Sequence, residues 1–399
     1  MATTVSTFAP TGAEEKSSTE AARVVGIANW PIYAVVFASA CIVAGLLWDI
    51  SWHRTIGRDT FWSPPHLLEQ IAAVVAGLSC GYIALRTTFA GTAESRATSV
   101  RFWHFFQAPV GAWVCIWGTI MMITSAPFDD WWHNAYGLDV KILSPPHMVL
   151  AGGMIGIQVG AMLMALGAQN RTDREADRRR YACILAFASG IILVMSSVLI
   201  QEEAAFGNSM HGSSFYRVTA IVFPIFLTAF ARALRLRWPA TTVALLFMAI
   251  ILLTMWVTQL FPAQARLAPI YNPVTHMVPT PFPLLLVFPA IAIDLLMRRF
   301  GENRDWILSM AIGIAFVVVM IGVHWYWAEF LLSPSARNFV FGVDKWDYSS
   351  RLGPWRYEYW NLDRSPTAFA GGMVIAAISA AASARLGLWW GSGMSRIKR

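Results

Sequence analysis

Asp49 and His53 stand four residues apart, and His66 follows after twelve more; eighty residues along the chain, Asp129 and His133 repeat the pair and His147 follows after thirteen. One carboxylate and two imidazoles are a ligand set that copper, iron and zinc use. Four apart on a helix puts the Asp and the first His on one face, one turn from each other. The chain then turns at Gly57 or Gly137 and re-enters a helix through Ser63-Pro64-Pro65 or Ser144-Pro145-Pro146. Ser there reads as the N-cap and Pro as a first-turn residue whose missing N–H costs nothing. Each copy thus predicts two antiparallel helices that carry the second imidazole back beside the first pair. Asp59 and Asp139 fall in the turns, off the helical face, as supporting groups behind the ligands or as turn formers. The chain has only 8 histidines, so four of them in two matched patterns argue for metal ligation over isolated interfacial polar residues.

The elements that position these residues follow from composition. With 56% hydrophobic residues, 13% charged and 19 Trp in 399 residues, the chain reads as an all-α polytopic integral membrane bundle. Ten spans are expected, at 29–50, 66–86, 103–124, 147–168, 181–200, 215–234, 239–261, 280–298, 305–328 and 367–389. Residues 1–28 carry no apolar run and read as a disordered tail, not a cleaved signal. Residues 29–168 form two repeated hairpins with the metal motifs, 169–329 hold spans 5 to 9, 330–366 form a long outer loop, and 367–399 the last span and a basic tail. Loops after spans 2, 4, 6 and 8 carry fourteen Arg, whereas those after spans 1, 3, 5 and 7 carry Arg54, Arg58, Lys141 and Arg266. That bias places both termini in the cytoplasm and the metal motifs outside, across a bacterial inner membrane. The scattered basic residues suit topology and form no nucleic-acid patch.

Further candidates at the same end are weaker. Glu202 and Glu203 close span 5, with His211 downstream; His276 precedes span 8, where Pro289 is expected to introduce a kink; His324 and Glu329 close span 9, five apart and so poorly matched to one helical face. The four Cys lie inside apolar spans, as packing residues. No nucleotide loop, nucleophile elbow, thiolate zinc site or redox Cys pair is present, which removes ATP-driven pumping and dehydrogenase chemistry.

The stretch from Asp49 through His53, Arg58-Asp59-Thr60 and Ser63-Pro64-Pro65-His66 resembles the signature of the C subunit of copper membrane monooxygenases, the particulate methane and ammonia monooxygenase family. The resemblance covers about 20 of 399 residues. It implies copper bound by Asp49, His53 and His66, oxidation of a small substrate with dioxygen, and partner membrane subunits or a periplasmic electron or copper donor. The second copy departs from it, with Leu138-Asp139-Val140 in place of the triplet. Two alternatives stay open: a copper-handling protein for storage, transfer or assembly, and a proton-coupled transporter using Asp and His as carriers.

Overall fold

Most of the apolar runs fold into helices that overrun, at one end or both, the limits hydropathy sets. In the computed structural model these are α1 (Trp30–Thr55), α2 (Pro64–Ala90), the short α3 (Ala93–Ala97), α4 (Val110–Tyr136), α5 (Pro145–Arg171), α6 (Glu175–Glu203), α7 (Ser213–Ala233), α8 (Pro239–Thr258), α9 (Val287–Phe300), α10 (Asp305–Leu331) and α11 (Pro366–Met394). The structure describes residues 29–57, 60, 62–137, 144–203, 211–264, 274–301, 304–342 and 363–398, the side chains of 201–203 excepted. Among the described residues nine helices are long and apolar enough to cross a membrane, so the protein is an integral membrane protein. A helix of 26 or 27 residues, as in α1, α2, α4 and α5, spans about 40 Å against a hydrocarbon core of about 30 Å. The surplus turns project into the interface, where polar side chains can be hydrated while the backbone stays helical.

Three expectations are corrected. The span expected at 280–298 is a helix only from Val287; the preceding residues from 280 form no helix and no strand. Pro279, Pro281 and Pro283 remove alternate backbone donors and forbid a helix there. Non-helical backbone is tolerated here because protein covers it: Met277, Val278, Thr280, Phe282, Leu284 and Leu286 are all buried. Pro289, expected to kink a span, lies in the first turn of α9 and does not interrupt it. The third span begins at Val110 and not at 103, because residues 100–108 form a small antiparallel hairpin, β1 (Val100–Phe102) with β2 (Phe106–Ala108). Trp103 and His104 turn it in the left-handed region, and Pro109 holds Ala108 extended before α4 starts.

The repeated hairpins are real elements: α1 packs on α2, and α4 on α5. In the second hairpin the backbones nearly touch, and a Cβ on Gly118 would meet Ile157 N at 2.7 Å. Small residues let membrane helices approach this closely. Elsewhere the bulky core gathers on α7, where Phe215, Tyr216, Phe223 and Phe230 are fully buried against α10 and α11. Asp294 of α9 caps α8, accepting from the Ala240 and Thr241 N–H groups at 3.1 and 2.9 Å.

Candidate functional site

Both hairpins bring their Asp and two His together at one end of the bundle. In the first copy Asp49 Oδ2 lies 3.6 Å from His53 Nε2, and Oδ1 lies 3.3 Å from His66 Nε2. In the second, Asp129 Oδ1 lies 3.4 Å from His133 Nε2 and 3.8 Å from His147 Nε2. Helix α1 stays regular through Thr55 and α4 through Tyr136, so the i, i+4 alignment holds. Gly57 (φ 97) and Gly137 (φ 85) then take the left-handed conformation that releases the chain into its turn. Ser63 and Ser144 occupy the N-cap positions of α2 and α5 as expected, but neither hydroxyl caps its helix. The chemistry of each triad therefore rests on the turn geometry and the proline-initiated helix.

The hydrogen bonds around the rings fix which nitrogen faces the carboxylate. His66 Nδ1 lies 3.1 Å from the Thr60 carbonyl, and His133 Nδ1 lies 3.1 Å from the Gly137 carbonyl. A carbonyl oxygen only accepts, so each Nδ1 carries its proton and, in the neutral ring, Nε2 presents a lone pair. That lone pair faces a carboxylate oxygen. Two acceptors at such a separation repel unless a proton or a cation lies between them. Asp49 Oδ1 and Asp129 Oδ1 are buried and accept no hydrogen bond, and the Ser63 and Ser144 hydroxyls are buried without a partner as well. The same two orphans recur in both copies. A carbonyl that orients an imidazole from behind is the arrangement metal-binding histidines use.

Donors held about 2.1 Å from one ion in a tetrahedral shell lie about 3.4 Å apart. The Asp–His separations match this pairwise, with His147 the longest. The full set is not assembled: among the described residues no three His, Cys, Asp or Glu side chains already stand as a metal's ligand group. In the first copy the two imidazoles approach different oxygens of Asp49, and closing round one point requires side-chain rotation.

The two copies differ in their support. Ser51 Oγ donates to the Val278 carbonyl (2.5 Å), and the Val278 N–H donates to Thr55 Oγ1 (2.8 Å). The non-helical segment thereby braces the last turn of α1 on the side away from Asp49 and His53. Trp131 and Ala135 stand at the corresponding places in α4, and Trp131 is exposed. Asp49 is 17% exposed and Asp129 34%. Glu69, missed by sequence reading, is only 2% exposed and lies one turn deeper than His66 on α2. It packs where α1 has Gly45, whose added Cβ would sit 2.6 Å from Glu69 Cγ. Leu150 and Ser125 replace this pair in the second copy. The available signal was an acidic residue inside an apolar run, three residues after a ligand candidate.

The remaining candidates are not drawn into either triad. His211 is buried, its Nε2 3.1 Å from the Trp325 carbonyl. His324 is fully buried, stacked on Phe215 with centroids 4.2 Å apart. The two histidines share one aromatic cluster of α7 and α10. Glu329 is exposed on a different side of α10 from His324, so that pairing fails, as five-residue spacing dictates. His276 sits in a bridge opposite Pro262 and its Nδ1 meets Thr275 Oγ1 at 3.0 Å. Asp59, Asp139 and the side chains of Glu202 and Glu203 lie outside the described residues, as do 1–28 and most of the outer loop expected at 330–366. Compared with known proteins, the chain matches no family model, no curated protein and no solved structure.

Proposed function

We propose that this protein is a membrane metalloprotein that binds copper through Asp49, His53 and His66 and oxidises a small substrate with dioxygen, with Asp129, His133 and His147 as a second, weaker site. The observation that carries the metal reading is His66: its Nδ1 is committed to the Thr60 carbonyl, so its Nε2 lone pair faces a buried Asp49 oxygen that accepts no hydrogen bond. Copper as the metal comes from the resemblance of the Asp49–His66 stretch, and the same donors also suit iron and zinc. Copper bound there supplies the one-electron chemistry that dioxygen activation needs. The chain's own residues hold the ligands: Thr60 sets the tautomer of His66, Gly57 releases the turn, and Ser51 and Thr55 fix the helix end. Monooxygenation places one oxygen atom in the substrate and releases the other as water, consuming two electrons and two protons. A partner subunit or a periplasmic donor supplies those electrons. The Arg distribution orients the sites outward across a bacterial inner membrane, with both termini inside.

Metal analysis with EPR on protein purified in mild detergent tests this directly. At least one copper per chain is expected, lost at the first site in His66→Ala; a wild-type protein that takes up no metal sinks the proposal. His53→Ala should abolish substrate-dependent oxygen consumption, whereas His133→Ala only weakens it. The repetition of the same orphaned oxygens in both hairpins favours a second reading, a copper-handling protein. Two sites of equal affinity, with no oxygen consumed whatever the donor, would establish that instead.

A further inference from the structure

At the opposite end of the bundle from the triads, the last turns of α7 and α11 enclose a cleft of about 270 Å³ lined by Arg232, Arg235, Ser392, Ser395 and Arg396. Arg232 is its most buried arginine. Its side chain is 8% exposed, and it donates to Asp305 Oδ1 at 2.7 Å and to Ser392 Oγ at 3.2 Å. Its Nε is buried and donates to nothing. Arginines near helix C-termini ordinarily serve to balance the helix dipole. That role and the Asp305 pair account for Arg232, but not for Arg235 and Arg396, whose exposed guanidinium groups meet no acceptor among the described residues. Nor does chance placement in a loose tail account for Arg396. Asn170 donates to the Met394 and Ile397 carbonyls at 3.1 and 2.9 Å, and Arg171 donates to the Lys398 carbonyl at 2.9 Å. The end of α5 thus clamps the residues on both sides of Arg396 and holds it at the rim.

Three arginines line the cleft and the one carboxylate at it, Asp305, pairs with Arg232, so a positive balance remains, and the forked donors of Arg suit phosphate oxygens. The geometry points to a binding site for an anionic phosphate, presented by a lipid headgroup or by a free phosphate in the cytoplasm. The position at the ends of membrane-spanning helices is where basic pockets meet anionic headgroups.

Native mass spectrometry of the full-length protein, incubated with dioleoylphosphatidylglycerol or dioleoylphosphatidylcholine, is compared with an Arg235→Gln/Arg396→Gln variant. Both side chains are exposed, so the fold should survive, and unchanged melting without ligand checks it. In parallel, the melting temperature is followed against inorganic phosphate, with chloride at equal ionic strength as control. Preferential retention of one phosphatidylglycerol, weakened about tenfold or more in the variant, identifies a headgroup site. Stabilisation by inorganic phosphate that the variant loses, without lipid preference, identifies a soluble phosphate. Wild-type protein showing neither response, or a variant matching the wild type in both, overturns the inference.

Discussion

His66 and His133 stand at opposite ends of their turns, one opening a helix and the other closing one, yet each is oriented by a carbonyl of its own turn. What the sequence displayed was residue type and spacing; the carbonyls that fix the rings are invisible in it, because any residue supplies one. Asp49→Asn tests the charge of the site at nearly constant shape. With a carboxamide in place of the carboxylate, copper affinity at the first site should fall by at least about tenfold while the second site is unchanged, measured by competition with a copper chelator. His324 shows the limit of reading by type. The sequence offers it as a ligand, but its surroundings are Phe215 and Tyr216, and both ring nitrogens are buried with no hydrogen-bond partner. An unsatisfied buried polar atom costs about 1–3 kcal/mol. His324→Phe, which keeps the stack and removes the polar atoms, should therefore raise the melting temperature in detergent; a fall would show that the imidazole is needed where it is.

The helical hairpins were legible because polar residues interrupt long apolar runs at matched positions. The eighth crossing was not, since hydropathy counts apolar residues and a non-helical buried segment scores as well as a helix. Alternate prolines were the signal, and their effect is to leave a non-helical segment that must be covered by protein. Its hydrogen bonds to Ser51 and Thr55 tie it to the first hairpin, and among the described residues no such bond reaches the second. Thr55→Val removes one acceptor and strands the Val278 N–H, a loss of about 1–3 kcal/mol. The first site should then bind metal more weakly while the second is unaffected. Gly45→Ala acts on the same hairpin from inside. The new methyl group would press on Glu69 Cγ and stand 3.2 Å from the Pro65 carbonyl, pushing α1 from α2 at a cost of about 1–3 kcal/mol. Thermal unfolding of Gly45→Ala, Glu69→Ala and the double variant checks the contact: the double change should cost less than the sum of the two.

Among the described residues the nine long helices allow the alternation that charge bias predicts when α9 and the buried segment before it make one further crossing. Cysteine placed at Ser335, beyond the end of α10, should react with an impermeant reagent added outside intact cells, and cysteine at Asp173, between α5 and α6, should be spared. The reverse pattern would invert the assigned topology and move the triads to the cytoplasm. Membrane class and bundle architecture could be read from composition alone, because a bilayer demands long apolar helices. The difference in the surroundings of the two triads could be read only in part. Loop length differed on the page, but the brace on α1 and the Glu69–Gly45 contact arise from pieces of chain whose meeting no local pattern records.

That brace also sets an order of events. Ser51 and Val278 are 227 residues apart, so the first hairpin is synthesised long before the segment that secures it. At translation rates of about 5–20 residues per second, the delay is roughly 10–45 s. A nascent chain arrested before residue 274 would carry both triads but a frayed first site, with the last turn of α1 open to local unfolding. A metal ion delivered during synthesis would then meet the second hairpin, which among the described residues makes no hydrogen bond to the late segment, in finished form first.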